Sequence, residues 1–458
     1  MRHGEEEVAR WARRSADFVA RYLTALEGRP LQPRRTREEI DALFAGPLPE
    51  EGLGVDAALA QIEHNVVPNA FHLGGSGYFG LFNPTPTVAA VLADGIASAL
   101  NQQVASTSHA PSGTAVERTV IRWLAAMCGL PASSGGTMTN GGSLANMTAI
   151  KVALNSRIEG AGENGVGDRR PAFYVSGEAH YSFEKTGDLL GLGRRAVRPV
   201  RTDAQFRMDP RALEEAIDED GAAGDAPFAI VGTAGTTSSG AIDPLPELAK
   251  IADRFGLWFH VDAAWGGAVR LSRKHSALLD GIERADSVTV DPHKWLYVPY
   301  SAGAVLVRDA EALRRTFDVS HAYVSDRSME APVNYFQHGV AGSRRFDALK
   351  VWASLLAYGR RGYEEAIDSR IALAEELGRR LEPRWRLAAA PSLACCCWRD
   401  PKLDDEGHRR VQQAIEREGR VWISTTMLDG RRAYRFCATS YLTTEKDLDA
   451  LMDALGRH

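Results

Sequence analysis

The stretch WFHVDAAWGG, residues 258–267, decides the fold. A largely apolar run ends in Asp262 and gives way to small residues. Such a run reads as a strand, and an acid at its carboxyl end faces the crevice where open α/β sheets bind ligands. For an isolated aspartate a turn or N-cap role is the commoner one. Working outward, β-rich runs fall at 172–175, 196–200, 228–233, 257–261, 287–290 and 303–307. Helical patterns lie between several of them, notably at 144–156, 210–218 and 245–255. Strands alternating with helices predict a mainly parallel sheet covered on both faces.

The flanks differ from this centre. Residues 5–27 predict an amphipathic helix, with Val8, Trp11, Phe18, Tyr22 and Leu26 at steps of three and four. Glu5, Glu6 and Glu7 suit its positive end, and Gly28 and Pro30 stop it. An apolar helix at a chain end needs a partner surface, and a second subunit is a candidate. Residues 320–342 are polar and aperiodic and read as a long loop. Beyond Arg344 the pattern gives a helix to Gly359, another over 363–382, strands at 421–425 and 434–438, and a last helix capped by Thr444 and Asp447. The expected parts are an N-terminal arm (1–70), a large α/β domain (71–345) and a small C-terminal α+β domain (346–458).

With 458 residues, 44% of them apolar and 25% charged, the chain can bury a large core. A net charge of −5 without a basic stripe argues against a nucleic-acid partner. No apolar run is long enough to span a bilayer, and the N-terminus lacks a signal-peptide core, so the expectation is a cytoplasmic protein. The five cysteines are Cys128, Cys437 and the run Cys395, Cys396, Cys397. Three consecutive cysteines on a strand alternate faces and cannot converge on one metal. Buried thiols in a reducing compartment, and no metal, are expected.

Three further stretches carry chemistry. In VDPHKWLYVPY (290–300) Lys294 lies between His293 and an aromatic, apolar run, where partial dehydration would favour a nucleophilic amine. In TNGGSLANMTAI (139–150) a Gly-Gly-Ser turn opens onto a helix. Its free N–H groups and the Ser143 hydroxyl suit a phosphate, although Ser143 could equally be an N-cap. In EAHYSFEKTG (178–187) His180 follows a strand; alone, a histidine is more often structural. The G-x-G-x-x-A string at 191–196 lies between a helix and a strand, the reverse of a dinucleotide site, and no P-loop is present. An anion cradle, an amine, a strand-end carboxylate and a flat ring are the four groups that pyridoxal phosphate requires. Ser143, Lys294, Asp262 and His180 supply them.

The sequence resembles the group II pyridoxal-phosphate decarboxylases, the family that acts on aromatic amino acids, glutamate and diaminobutyrate. The resemblance runs from residue 68 to the C-terminus. It is carried by SGYFGLFNP (76–84), HAPSGTAVERTVIRWL (109–124), GGSLAN (141–146), EAH (178–180), GTAGTTSSGAID (232–243), HVDAAW (260–265), DPHKW (291–295) and GSRRFDALKVW (342–352). It implies fold type I, a homodimer with exchanged N-terminal arms, and pyridoxal 5'-phosphate as cofactor. By that resemblance Lys294 is the Schiff-base lysine, Asp262 the partner of the pyridine nitrogen, and His180 the residue stacked on the ring, with Ala264 on its other face. Gly142, Ser143, Asp291 and His293 match phosphate-side positions, and Thr237 lies near cofactor and substrate carboxylate. Tyr323 is the candidate loop proton donor, with His293 as the alternative. The chain departs from the family in a loosely matched arm, in Trp265 where Tyr is more usual, and in Asp291 where Asn precedes Pro-His-Lys.

The expected reaction is decarboxylation of an L-amino acid to amine and CO2. Tyr78, Phe79, Leu81 and Phe82 fall where the family lines its side-chain pocket, which favours an aromatic or bulky apolar substrate. An acidic substrate would need a cation, for which His72 and Arg344 are candidates. The aromatic residues after Lys294 read as wall and dimer-facing support. The alternatives are an acidic or diamino-acid decarboxylase, an aldehyde synthase, and a carbon–carbon lyase of the same fold.

Overall fold

The computed structural model describes residues 2–318, 333–382 and 384–458. Its centre is a seven-stranded sheet made of β2 (Gly135–Thr139), β3 (Pro171–Ser176), β4 (Val197–Val200), β5 (Ala226–Thr233), β6 (Trp258–Asp262), β7 (Ser287–Val290) and β8 (Gly303–Val307). The order across the sheet is β2-β8-β7-β6-β5-β3-β4. All the pairings from β7 to β4 are parallel; β8 runs antiparallel to both β7 and β2. The carboxyl ends of β2, β3, β5, β6 and β7 therefore share one edge. Strands β3, β6, β7 and β8 are buried at every position, which explains the mostly apolar runs of β3, β6 and β8. Two core clusters form on this sheet, one including Ile230, Val261 and Trp295 and the other Phe173, Phe228 and Val305.

Strand β2 is the element the sequence conceals. Its Gly136 passes so close to β8 that a Cβ would lie 2.4 Å from the Val305 carbonyl oxygen. Glycine inside a strand marks such an approach, and the sequence GGTMT consequently carries little apolar signal.

A second sheet has the order β1-β11-β12-β10-β9 and comprises β1 (Tyr78–Phe79), β9 (Arg386–Ser392), β10 (Cys395–Arg399), β11 (Trp422–Leu428) and β12 (Arg431–Cys437). The expected grouping of residues 71–345 is corrected here, because Tyr78 and Phe79 pair in parallel with Trp422 and Ile423 of the C-terminal sheet. The two helices expected after Arg344 both lie within Ala348–Leu381 and are separated at Gly359, whose φ of 59° is non-helical. The last helix has the expected Thr444–Asp447 capping box. The run Cys395, Cys396, Cys397 lies on β10, and all five cysteines are free and buried.

The N-terminal helix spans Glu5–Thr24, one turn shorter than expected, and has no buried residue. Arg14 bonds Glu63 at 2.9 Å and Arg10 bonds Asp56 at 2.9 Å, tying the helix to the residues that follow. Among the described residues no helix is long and apolar enough to cross a membrane.

Candidate active site

Five strand ends meet around one pocket of about 470 Å³. After β2 the chain turns through Asn140 and Gly141 into the helix Gly142–Arg157, placing Ser143 at the rim. Gly141 has φ +139°, and a Cβ on Gly142 would lie 2.7 Å from Asp291 Oδ2 and 3.3 Å from the Ala264 Cβ. The glycines therefore let the helix start press onto the β6 and β7 loops. That start is an anion site by geometry, with unpaired N–H groups and the positive end of the helix dipole.

Asp262, the last residue of β6, is 6% exposed. Its Oδ1 accepts from the Ala264 N–H at 3.1 Å and its Oδ2 from Asn146 Nδ2 at 2.8 Å. Lys294 stands in the turn after β7, with Nζ 3.0 Å from Asp291 Oδ2 and a side chain 22% exposed. The dehydrating run proposed for it is corrected. Trp295, Leu296 and Tyr297 point into the core, where Trp295 packs on Trp265 and Tyr297 on Tyr363. What faces the ammonium is the buried Asp291 carboxylate, and the pocket wall comes from Tyr300 instead.

His180 follows β3, and its Nδ1 accepts from the Ser182 N–H at 3.3 Å. Burial lowers its pKa, opposed by Asp262, so the ring favours the neutral form. His293 is buried, its ring 4.3 Å from that of Tyr300 and its Nδ1 against the Ala302 backbone; burial lowers its pKa as well. Thr237 and Ala264 complete the set that the sequence brought together, and both line the pocket.

The side-chain end of the pocket is corrected in part. Leu81 and Phe82 line it, with Phe82 stacked on Trp265 at 4.2 Å. Tyr78 and Phe79 lie behind that wall, Tyr78 stacked on Trp422 and Phe79 packed on Phe436. Arg344 is absent from the pocket lining; it pairs with Glu117 at 2.5 Å and lies over the Tyr335 ring. His72 instead bonds the Tyr22 hydroxyl at 2.9 Å. Tyr323 lies outside the described residues. Sequence reading missed Asn83, which donates to the Tyr300 hydroxyl at 2.6 Å, and Asn146. It also missed Arg435, which bonds Gly80 and Thr237 carbonyls and so clamps two pocket walls. For Asn146 a signal was present, a polar residue set among the small and apolar side chains of LANMTAI.

The pyridoxal-dependent decarboxylase conserved domain model matches residues 38–399. The chain belongs to that family. This decarboxylase is 31% identical to an aromatic-L-amino-acid decarboxylase of Bacillus atrophaeus, over 98% of this chain and 94% of the relative. It is 33% identical to an L-2,4-diaminobutyrate decarboxylase of Rhizobium meliloti, over 90% and 83%. The crystal structure of Oryza sativa TDC with PLP and tryptamine superposes with a TM-score of 0.93 at 27% identity, covering all of this chain and 98% of the other. The decarboxylase uses pyridoxal phosphate and acts on an amino acid. Its pocket fits that cofactor: a cradle that a Cβ on Gly142 would fill, a buried carboxylate at Asp262, and one lysine amine at Lys294. Among the described residues no cluster could hold a metal ion.

Proposed function

We propose that this decarboxylase converts an aromatic L-amino acid to its amine and CO2. The observation that carries the reading is the pocket's side-chain wall. Leu81, Phe82, Trp265 and Tyr300 form an apolar and aromatic surface, and Lys294 is the only lysine or arginine among the described lining residues. An acidic side chain would be buried there without a counter-charge, whereas an aromatic ring gains area and stacking.

In this reading Lys294 carries the cofactor, Gly142 and Ser143 hold its phosphate, Asp262 bonds its ring nitrogen, and His180 and Ala264 lie against its ring. The cofactor supplies an electron sink for the bond that releases CO2. Asp291 and His293 support the phosphate side. Thr237 orients the substrate carboxylate, and Tyr323, or His293 in its place, returns a proton to Cα. His180 stays flat and uncharged because burial disfavours its cation.

We also propose a cytoplasmic homodimer. The N-terminal helices Glu5–Thr24, Arg37–Phe44 and Val55–Gln61 have no buried residue. The helix Val88–Leu100 exposes Val88, Leu92, Ile96 and Leu100 in one stripe at four-residue spacing. Surfaces of this kind call for a second copy. Five unpaired thiols suit a reducing compartment.

The test is to incubate the holoenzyme with a panel of amino acids and quantify CO2, amine, aldehyde and peroxide. Aromatic amino acids should give stoichiometric CO2 and amine. Aldehyde with peroxide, or turnover confined to acidic or diamino acids, would overturn the reading. Lys294→Ala should remove the yellow absorbance of the lysine-bound cofactor, and its persistence would reassign the lysine. Sedimentation should give twice the chain mass.

A further inference from the structure

Asp262 stands at the end of a chain of four buried side chains. Its Oδ2 accepts from Asn146 Nδ2 at 2.8 Å. Asn146 Oδ1 lies 3.1 Å from His260 Nε2, and His260 Nδ1 lies 2.9 Å from Ser287 Oγ. Ser287 Oγ in turn accepts from Trp258 Nε1 at 2.8 Å. Asn146, His260, Ser287 and Trp258 are at most 5% exposed, so water cannot substitute for any link.

The carboxylate end fixes the directions as far as His260, and the neutrality of that imidazole fixes the rest. An indole N–H only donates, and an ionised carboxylate only accepts. Asn146 Nδ2 therefore donates to Asp262 and its carbonyl oxygen faces His260 Nε2, which must carry a proton, while Ser287 accepts from Trp258. Burial keeps His260 neutral, so with the proton on Nε2 its Nδ1 is an acceptor and takes the hydrogen bond of the Ser287 hydroxyl. The other Asn146 N–H reaches Ser182 Oγ at 3.3 Å. An amide flip or the other imidazole tautomer would set donor against donor or acceptor against acceptor.

We propose that Trp258, Ser287, His260 and Asn146 are positioning residues that hold the Asp262 carboxylate aimed into the pocket. This rests on the reading of Asp262 as the partner of the cofactor's ring nitrogen. A cation behind Asp262 would neutralise it. An amide donates a hydrogen bond but has no proton to give up, so the carboxylate is fixed while its charge stays available to the ring nitrogen. Burial supports this by pulling the His260 pKa down to about 4, against the smaller upward pull of Asp262, its charged neighbour. The imidazole thus carries no competing charge near neutral pH.

The relay is tested first on the protein without cofactor, by ¹⁵N-histidine NMR with His260 assigned from its loss in H260Q. The Nε2–H neutral tautomer is expected at pH 7; an Nδ1–H tautomer or an imidazolium overturns the proposal. Equilibrium titration with pyridoxal phosphate provides the second readout. Asn146→Leu and His260→Leu should each weaken binding about tenfold or more, the loss expected for a hydrogen bond to a charged group. His260→Gln keeps a donor toward Asn146 and an acceptor toward Ser287, and should restore most of the affinity. If His260→Gln loses as much as His260→Leu, or if Asn146→Leu binds as wild type does, the relay has no positioning role. Wild-type affinity in Asp262→Ala would instead refute the ring-nitrogen reading on which the proposal rests. The NMR result stands even where a leucine variant fails to fold.

Discussion

Replacing Arg344 with Met and Glu117 with Leu, singly and together, separates two roles for the arginine. From sequence it is a candidate anchor for an acidic substrate; in the fold it is half of a buried ion pair. Its side chain is 7% exposed and that of Glu117 1%, with 2.5 Å between their charged atoms. The guanidinium also bonds the Val104 carbonyl at 2.7 Å, Thr137 Oγ1 at 3.0 Å and the Met138 carbonyl at 3.1 Å. Glu117 accepts in addition from the Met138 N–H at 2.9 Å. Removing one partner leaves the other charge buried without a counter-ion, at a cost of about 3–5 kcal/mol. That is a large fraction of a typical total of about 5–15 kcal/mol. With roughly 2 °C of Tm per kcal/mol in a chain this long, each single substitution should lower Tm by on the order of 5–10 °C. The double variant should recover part of the loss, since no charge is stranded although the Val104 and Met138 backbone groups lose a partner. Thermal unfolding supplies Tm, and steady-state kinetics at 25 °C supplies KM, which should stay at its wild-type value. Arg344→Met with an unchanged Tm and a raised KM would refute the structural role.

Gly142→Ala places a methyl against Asp291 Oδ2 and the Ala264 Cβ, so cofactor affinity measured by titration should fall about tenfold. Gly95→Ala, with nothing within 4 Å, is the control that should bind normally, and equal affinities would dismiss the tight turn. The Cys128 thiol is pushed up to about 12 by burial, and all five cysteines are buried. A thiol reagent should therefore find no fast-reacting group in the native protein and five after unfolding; rapid labelling of the native protein would contradict the packing. Unfolded His260 takes up a proton below about 6.5, whereas the folded group resists until about 4. Its contribution to stability is thus complete above 6.5 and lost as pH falls toward 4, by up to about 3 kcal/mol. Denaturant unfolding should show His260→Gln losing less stability than wild type across that window, and parallel profiles would refute it.

The apolar runs of β3 and β5 to β8 were legible because strands buried on both faces need nearly continuous apolar side chains. The ligand end of the sheet followed, since Asp262, Lys294 and His180 all lie just beyond such runs. What sequence could not show depends on partners far along the chain. Arg344 reads as a free cation until Glu117, 227 positions away, is folded against it. Tyr78 and Phe79 read as pocket wall because local pattern cannot reveal that their two-residue strand pairs with Trp422 and Ile423. Strand β2 was hidden by the glycines that its close packing demands. Asn146 carried a local signal, but its meaning required His260 and Asp262 to arrive beside it.

The pairing of Tyr78–Phe79 with β11 matters for any attempt to exchange parts between relatives. Gly80 comes next, its carbonyl held by Ser424 and Arg435, and Leu81, Phe82 and Asn83 leave directly from that mooring. Leu81, Phe82 and Asn83 thus line the pocket from a mooring that β11 and β12 supply from far along the chain. A chimera that swaps residues 76–84 alone would put a foreign loop on an unmatched berth. Changes in β11 and β12, which add no residue to the described pocket lining, would accordingly shift its wall without any residue in the pocket being replaced.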